Sequence, residues 1–295
     1  RGVAKMKVDS TEKKKLSRSA EVWRRYRKSP TAMIGLAIIS VIILSAIFAD
    51  IIVPYDYGIK QVIPDRLQGP PLKHLFGTDD LGRDLFSRVI HGSRSSLVLG
   101  ILTTAVATLI GGFLGGICAY YGNRVDNIIM RLLDVITSIP STLLSLSIVA
   151  ALGPGIRNLV IAITVSRVPT FARVIRSAVL NIVNQEYIEA AKAGGTRNLR
   201  IMLRHVYPNA MSPIIVQCTM SISQLILQAA GLSFLGMGMQ PPAPEWGALL
   251  NSARDFMRTA PHLMLFPGIA IVLAALAFNL VGDGLRDAFD PRLKS

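Results

Sequence analysis

Long apolar runs separated by short polar stretches are the feature that most constrains this chain. A helix that crosses the hydrocarbon core of a bilayer needs about 20 mostly apolar residues. Runs of that kind occupy 31–53, 95–120, 130–152, 157–179, 208–235 and 263–281. The chain is 51% hydrophobic and 17% charged, with a mean hydropathy of +0.46, which excludes an ordinary soluble domain. The pattern predicts an all-α integral membrane protein with about six transmembrane helices.

Glycine and proline are placed where they affect the packing of these helices. The second run contains two interleaved Gly-x-x-x-Gly pairs, and such pairs allow another helix backbone to approach closely. Their members are Gly111, Gly112, Gly115 and Gly116. Pro140 lies inside the third run, and Pro169 is expected to bend the fourth. Cys118 and Cys218 lie in apolar segments without the spacing of a metal or redox motif, so both are interpreted as packing residues.

The positive charge is explained by membrane orientation. The chain has a net charge of +14, of which residues 1–30 supply +8 through eleven Lys and Arg against three acids. Assigning loops to alternate sides puts 22 of the 32 Lys and Arg on the side of this tail. By the positive-inside rule both termini are predicted to be cytoplasmic, and membrane lipids rather than nucleic acid are the expected partners. The sequence begins at Arg1 without Met, which suggests missing residues or processing.

These signals predict five regions. They are a basic cytoplasmic tail (1–30), a first transmembrane helix (31–53), an extracytoplasmic loop with an amphipathic helix (54–94), a five-helix core (95–282) and a cytoplasmic C-terminal tail (283–295). The core includes a cytoplasmic loop at 180–207 and an outer loop at 236–262. The amphipathic helix is expected to start at Thr78 and to end at Gly92. Trp246 in the outer loop is expected in the interfacial aromatic belt.

The loop at 180–207 is predicted to form two short helices. Gly194 and Gly195 would stop the first, and Thr196 would cap the second. On the second helix the basic side chains fall within about 60° of one another at 100° per residue, with apolar side chains opposite, so the helix is expected along the membrane surface. The basic residues are Arg197, Arg200 and Arg204, and the apolar ones are Leu199, Met202, Leu203 and Val206.

The same loop resembles a known motif. Glu189, Ala190 and Ala191, followed by Gly195 and Pro208, are similar in spacing to the EAA loop of ABC importer permeases. The family's loop ends in Ile-x-Leu-Pro, whereas His-Val-Tyr precedes Pro208 here. Three further segments resemble the dipeptide, oligopeptide and nickel branch, and within it the second of two permeases. They are GTDDLGRDLFSRVIHGSRSSL from Gly77, QPPAPEWG from Gln240 and NLVGDGLRDAFDPRLK from Asn279, so that the resemblance covers 75–294.

The resemblance implies a type I ABC importer architecture in which the first short helix docks on a separate ATPase. The residues that it assigns to the ATPase contact are Glu186, Tyr187, Glu189, Ala190, Ala191, Gly194 and Gly195. The second helix, with Arg197, Arg200, Arg204 and Pro208, would relay motion into the fifth span. An ordinary solvated connection with a helix stop is the alternative.

The implied partners are a homologous second permease, one or two ABC ATPase subunits and an extracytoplasmic peptide-binding protein. The sequence contains no Gly-x-x-x-x-Gly-Lys-Ser/Thr loop, so ATP and magnesium are expected on the partner ATPases and no cofactor, metal or catalytic residue is expected in this chain. Di- or oligopeptides are the expected cargo, with glutathione-type peptides or nickel complexes as alternatives. His262 and Met264 alone do not make a nickel site.

A polar stripe on the fifth span is the candidate translocation surface. Gln217, Ser221, Gln224 and Gln228 lie within about 60° of one another on a helical wheel. The stripe either lines a hydrated path or hydrogen-bonds a neighbouring helix.

Arg167 lies near the middle of the fourth span, where an arginine costs about 2.5 to 3.5 kcal/mol on insertion scales. A substrate carboxylate could compensate this charge. Snorkelling, a carboxylate of the partner permease or a span displaced by a few residues are the alternatives.

Two other classes of membrane protein share some of these features. A gradient-driven secondary transporter would also suit six spans with a polar stripe, but the spacing of the EAA loop argues against it. An intramembrane protease is disfavoured because neither Ser233 nor Asp283 has the neighbouring residues of a complete catalytic set.

Overall fold

The structure, a computed structural model, describes residues 18–70 and 74–290, and within those ranges the chain is helical without a β-strand. The helices are α1 (Arg18–Tyr26), α2 (Pro30–Ile47), α3 (Ala49–Ile52), α4 (Tyr55–Ile59), α5 (Leu85–Tyr121), α6 (Asn123–Thr137), α7 (Ser141–Leu152), α8 (Ile156–Val183), α9 (Glu186–Ala193), α10 (Asn198–Ile201), α11 (Tyr207–Phe234), α12 (Trp246–Ala253) and α13 (His262–Phe289). Short 3-10 turns occupy Ile63–Asp65 and Arg254–Phe256, and a π-helical segment, Met202–Val206, joins α10 to α11.

The described helices confirm an all-α membrane fold. Five are long and apolar enough to span a bilayer: α2, α5, α8, the continuous helix from Asn198 to Phe234, and α13. The pair α6 and α7 makes a sixth span when it is counted as one. The tail residues 1–17 and 291–295 lie outside the described ranges.

The third span differs in shape from the prediction. Instead of one helix over 130–152, α6 and α7 meet at an angle of 81°. Pro140 is the cause: it precedes α7 and disfavours helical backbone in the residue before it. The first span also breaks, because Phe48 separates α2 from α3.

The amphipathic helix predicted from Thr78 to Gly92 is wrong. Thr78 is buried in the loop before α5, where it forms an isolated β-bridge with Asp84 and its hydroxyl accepts a hydrogen bond from the Gln68 N–H. The helix begins at Leu85 instead, because the Asp84 carboxylate caps it by accepting from the Ser87 N–H at 2.7 Å. Gly92 does not end the helix but packs closely against Trp246. The predicted interfacial helix and the second span are therefore one helix of 37 residues.

Trp246 is not in a lipid-facing belt, contrary to the prediction. It is 2% exposed, and its indole N–H donates to the Val89 carbonyl at 2.9 Å. Glu245 beside it is also buried and caps α12 through the N–H groups of Gly247 and Ala248. The loop before α12 is thus packed onto α5, with its polar groups satisfied inside the protein.

The interior divides into clusters that join particular helices. The outer cluster packs α2, α5, α12 and α13 around residues such as Leu85, Trp246 and Phe278. A second cluster packs α9 and the start of α11 against α5 and α8. A third joins α7, α8 and α11. The second cluster includes Ile188 of α9, and the third includes Leu225 of α11, the helix that carries the polar stripe.

Candidate functional site: the α9 helix and the polar face of α11

The α9 helix stops at the two glycines, as the spacing predicted. The Gly195 N–H donates to the Lys192 carbonyl at 3.0 Å and the Thr196 N–H to the Ala191 carbonyl at 3.1 Å. This is the Schellman arrangement, in which the residue after the helix is left-handed. Gly195 has φ +73°, which suits glycine. Thr196 is part of this ending, so its predicted role as the cap of the next helix is wrong; Arg197 occupies that position.

One side of α9 is anchored and the rest is exposed. Ile188 is fully buried in the cluster that contains Val183 and Val206. Ala191 is half-buried against the same cluster. The other residues predicted to contact an ATPase are exposed: Glu186, Tyr187, Glu189, Ala190, Gly194 and Gly195. The helix is therefore a fixed projection with an acidic and alanine-rich surface.

The segment after α9 is continuous with α11 rather than a separate surface helix. Arg197, Arg200 and Arg204 are exposed, in accord with the predicted basic face. The predicted apolar face is split, since Met202 and Val206 are buried whereas Leu199 and Leu203 are 67% and 61% exposed. The π-helical turn at Met202–Val206 shifts the register of the side chains. Pro208, which has no N–H to donate, lies just after this turn.

Two tyrosines tie this segment to α5. The Tyr120 hydroxyl donates to Asn198 Oδ1 at 2.8 Å, and Lys192 Nζ lies 5.0 Å from the centre of the Tyr120 ring. The Tyr207 hydroxyl donates to the Gly112 carbonyl at 3.0 Å. A displacement of α9 would consequently act on α5 as well as on α11.

The polar stripe of α11 divides along its length. Gln217 donates to Ser221 on the same helix at 3.1 Å. Gln224 is exposed. Gln228 is buried and bridges two neighbouring helices: its Oε1 accepts from Arg167 Nε of α8 at 2.7 Å, and its Nε2 donates to Ser145 Oγ of α7 at 3.2 Å. Of the two alternatives for the stripe, hydrogen bonding to neighbouring helices applies to Gln228, whereas Gln224 has an exposed side chain.

A cleft lies at the Gln217 end of the stripe, between α8, α11 and α13. Its volume is about 550 Å³, and its lining includes Val174, Gln217, Met220 and Arg286. The stripe thus runs from a mixed polar cleft at the start of α11 to the Arg167–Gln228 contact.

Comparison with known proteins identifies the family. Residues 107–295 match the family described as the binding-protein-dependent transport system inner membrane component, and residues 17–70 match the N-terminal TM domain of oligopeptide transport permease C. The chain belongs to this family of inner membrane transport permeases.

Curated relatives cover nearly the whole permease. It is 46% identical over 275 residues to the dipeptide transport system permease protein DppC of Alkalihalophilus pseudofirmus, covering 93% of this chain and 90% of that one. The glutathione transport system permease protein GsiD of Escherichia coli is 46% identical with the same coverage. The di/tripeptide transport system permease protein DppC of Pseudomonas aeruginosa is 44% identical, with 93% and 92% covered.

A solved structure agrees in fold. The permease aligns with a chain of the MetNI methionine ABC transporter in an inward facing conformation, with a TM-score of 0.56 and 18% identity. The alignment covers 70% of this chain and 98% of that chain. The type I importer architecture is therefore confirmed.

Several residues of the permease that shape this region were missed by sequence reasoning. Tyr120 and Tyr207 each carry a hydroxyl at the end of an apolar run. This pattern indicates that the hydroxyl has a hydrogen-bond partner but does not identify which residue it is. Ser145 on α7 is fully buried beside Gln228, but α7 is apolar overall, and a single serine gives no signal.

Proposed function

We propose that this permease subunit carries small peptides inward across the bacterial cytoplasmic membrane, powered by separate ATPase subunits that act on α9. The names of the relatives support this class of cargo, because they specify dipeptides, di/tripeptides and glutathione, which is itself a tripeptide. ATP and magnesium would be bound by the ATPases, and a second, homologous permease would supply the other half of the path.

The observation that carries the proposal is the form of α9. It exposes Glu186, Tyr187, Glu189 and Ala190 while Ile188 holds it against the buried cluster at the start of α11. Small alanine side chains permit close approach by a partner, and exposed carboxylates can pair with its basic groups. One continuous helix is formed by α10, the π-helical turn and α11. A displacement of α9 is therefore transmitted to the polar stripe on α11.

Orientation is supported by the contacts between the two ends of the described chain. The Arg25 Nη1 group of α1 donates to the Asp290 carbonyl after α13. This contact supports placing both ends on one side of the membrane, and the basic composition of the tail favours the cytoplasm. An extracytoplasmic peptide-binding protein would deliver cargo to the opposite side.

Charge reversal of Glu189 tests the coupling. The chain is co-expressed with its second permease, ATPases and binding protein, and ATP-driven dipeptide uptake is measured in proteoliposomes. Glu189→Lys is expected to abolish uptake and weaken co-purification of the ATPases while membrane insertion is retained. Asp255→Lys is the matched control, because Asp255 is 82% exposed in a loop distant in sequence from α9.

Two results would contradict the proposal. Undiminished uptake by the Glu189→Lys complex would show that α9 is an ordinary connection. Uptake by the wild-type chain without any ATPase would support a gradient-driven carrier instead.

A further inference from the structure

Arg167 is a charged residue deep in the membrane part of the fold. It follows Ile156 by eleven residues and precedes Val183 by sixteen, which places it about 16 Å along α8 from the start of the helix. Snorkelling to either interface is unfavourable at this depth. A guanidinium held there needs a partner in the protein or in its cargo.

The two arginines that follow Arg167 on α8 have acidic partners. Arg173 contacts Asp134 at 2.8 Å, and Arg176 forms a two-point contact with Asp126 that includes Nε–Oδ1 at 2.6 Å. Within residues 18–70 and 74–290, no carboxylate lies within salt-bridge distance of Arg167. Its hydrogen-bond partner is the neutral amide of Gln228, so no acidic group in the described part of the chain compensates its charge.

The surrounding hydrogen bonds fix the direction of the guanidinium. Gln228 Nε2 donates to Ser145 Oγ, and Ser145 lies 2.9 Å from Ser166 Oγ. All three of these residues are buried. The amide oxygen of Gln228 is therefore turned to Arg167 Nε. The other edge of the guanidinium, formed by Nη1 and Nη2, is left for a second partner. That edge can bind a carboxylate through two parallel hydrogen bonds.

Arg167 contacts Gln228, which lies one helical turn from an exposed polar residue of α11. Arg167 is half-buried, and Gln224, one turn before Gln228 on α11, is exposed. The unpaired charge and the exposed amide thus come from the same junction of α8 and α11. A carboxylate bound there would be held without contact to any particular cargo side chain.

We propose that the Nη1–Nη2 edge of Arg167 binds the terminal carboxylate of a peptide in transit. This inference rests on the proposed function, since it needs peptide cargo. Every linear peptide with a free C-terminus carries that group, so the site would accept peptides of varied sequence. A carboxylate of the second permease is the competing partner, and the experiment distinguishes the two.

The test compares dialanine with dialanine amide, which lacks the carboxylate, in proteoliposomes of the complete transporter. Arg167→Gln is expected to lower the initial rate of dialanine uptake at least about tenfold, the size of one lost charge-assisted interaction, and to leave the amide rate unchanged. Arg157→Gln is the matched control, because Arg157 is exposed in the first turn of α8. The same binding protein serves every variant, so a changed ratio reports on the permease.

A second variant keeps Arg167 in place but gives it a carboxylate partner from the protein. Gln228→Glu places a carboxylate where the amide oxygen now lies, 2.7 Å from Arg167 Nε, and is expected to reproduce the selective loss of dialanine uptake. An equal fall for both peptides, or no fall for either, would overturn the inference. Loss of the second permease from the Arg167→Gln complex would also overturn it, by assigning the charge to the subunit interface. A wild-type complex that moves neither peptide would overturn the proposed function as well.

Discussion

A β-carbon added to Gly115 would lie 2.2 Å from the carbonyl oxygen of Ala172 on the neighbouring helix α8. One turn earlier, a β-carbon on Gly111 would lie 2.9 Å from the Val168 carbonyl oxygen. These two glycines let the backbones of α5 and α8 touch. Gly112, on the adjacent face, differs: its β-carbon would lie 3.3 Å from Ile175 Cδ1, the end of a flexible side chain.

Gly115→Ala is expected to destabilise the permease, because α5 and α8 must move apart to admit the methyl group. Overpacking of this kind costs about 1 to 3 kcal/mol. The thermal unfolding midpoint of the solubilised complex should fall for Gly115→Ala and change little for Gly112→Ala. Equal effects of the two substitutions would show that the α5–α8 contact adapts to added volume.

Gly195→Ala is expected to loosen the end of α9. A left-handed conformation costs a residue with a β-carbon about 1 to 2 kcal/mol, and nothing within 4 Å of that carbon adds a clash. Amide hydrogen exchange at positions 195 and 196 should accelerate by about tenfold in this variant. Gly194→Ala is the control, because Gly194 has φ −74°. Unchanged exchange in Gly195→Ala would mean that the turn is held by contacts rather than by its backbone.

The sequence could predict features that depend on local pattern. Hydrophobic runs located the spans, and Gly194–Gly195 located the end of α9. It placed a helix start at Thr78, whereas α5 begins after Asp84: both residue types cap helices, and the choice depends on Thr78 being buried in the loop before α5. Trp246 was misplaced for a similar reason: an indole suits a lipid interface and a buried contact equally, and only the packing against Val89 distinguishes them.

Glu245→Ala is expected to be among the more damaging substitutions in the outer part of the protein. The carboxylate accepts hydrogen bonds from the Gly247 and Ala248 N–H groups and from Ser96 Oγ, at 2.9, 2.9 and 3.0 Å. Its removal leaves buried donors without acceptors, at a cost of about 2 to 5 kcal/mol.

The thermal unfolding midpoint of the solubilised complex measures this loss. The unfolding midpoint of Glu245→Gln should lie between those of wild type and Glu245→Ala, because the amide oxygen preserves one acceptor. Asp255→Ala, at an exposed acid, should change the midpoint little. A Glu245→Ala protein as stable as the control would mean that water satisfies the three donors.

Gln224→Leu tests whether the exposed part of the polar stripe lines the translocation path. Gln224 makes an open polar surface on α11, whereas Gln228 is bound to Arg167 and Ser145. If the amide meets peptide groups in transit, its loss should reduce ATP-driven peptide uptake severalfold while co-purification of the second permease and the ATPases is unchanged. Thr219→Leu is the control, since Thr219 lies about 140° away on the same helix and its hydroxyl bonds the Ile215 carbonyl of that helix. Loss of the second permease from the Gln224→Leu complex would instead place this amide in the contact between subunits, and unchanged uptake would remove it from the path.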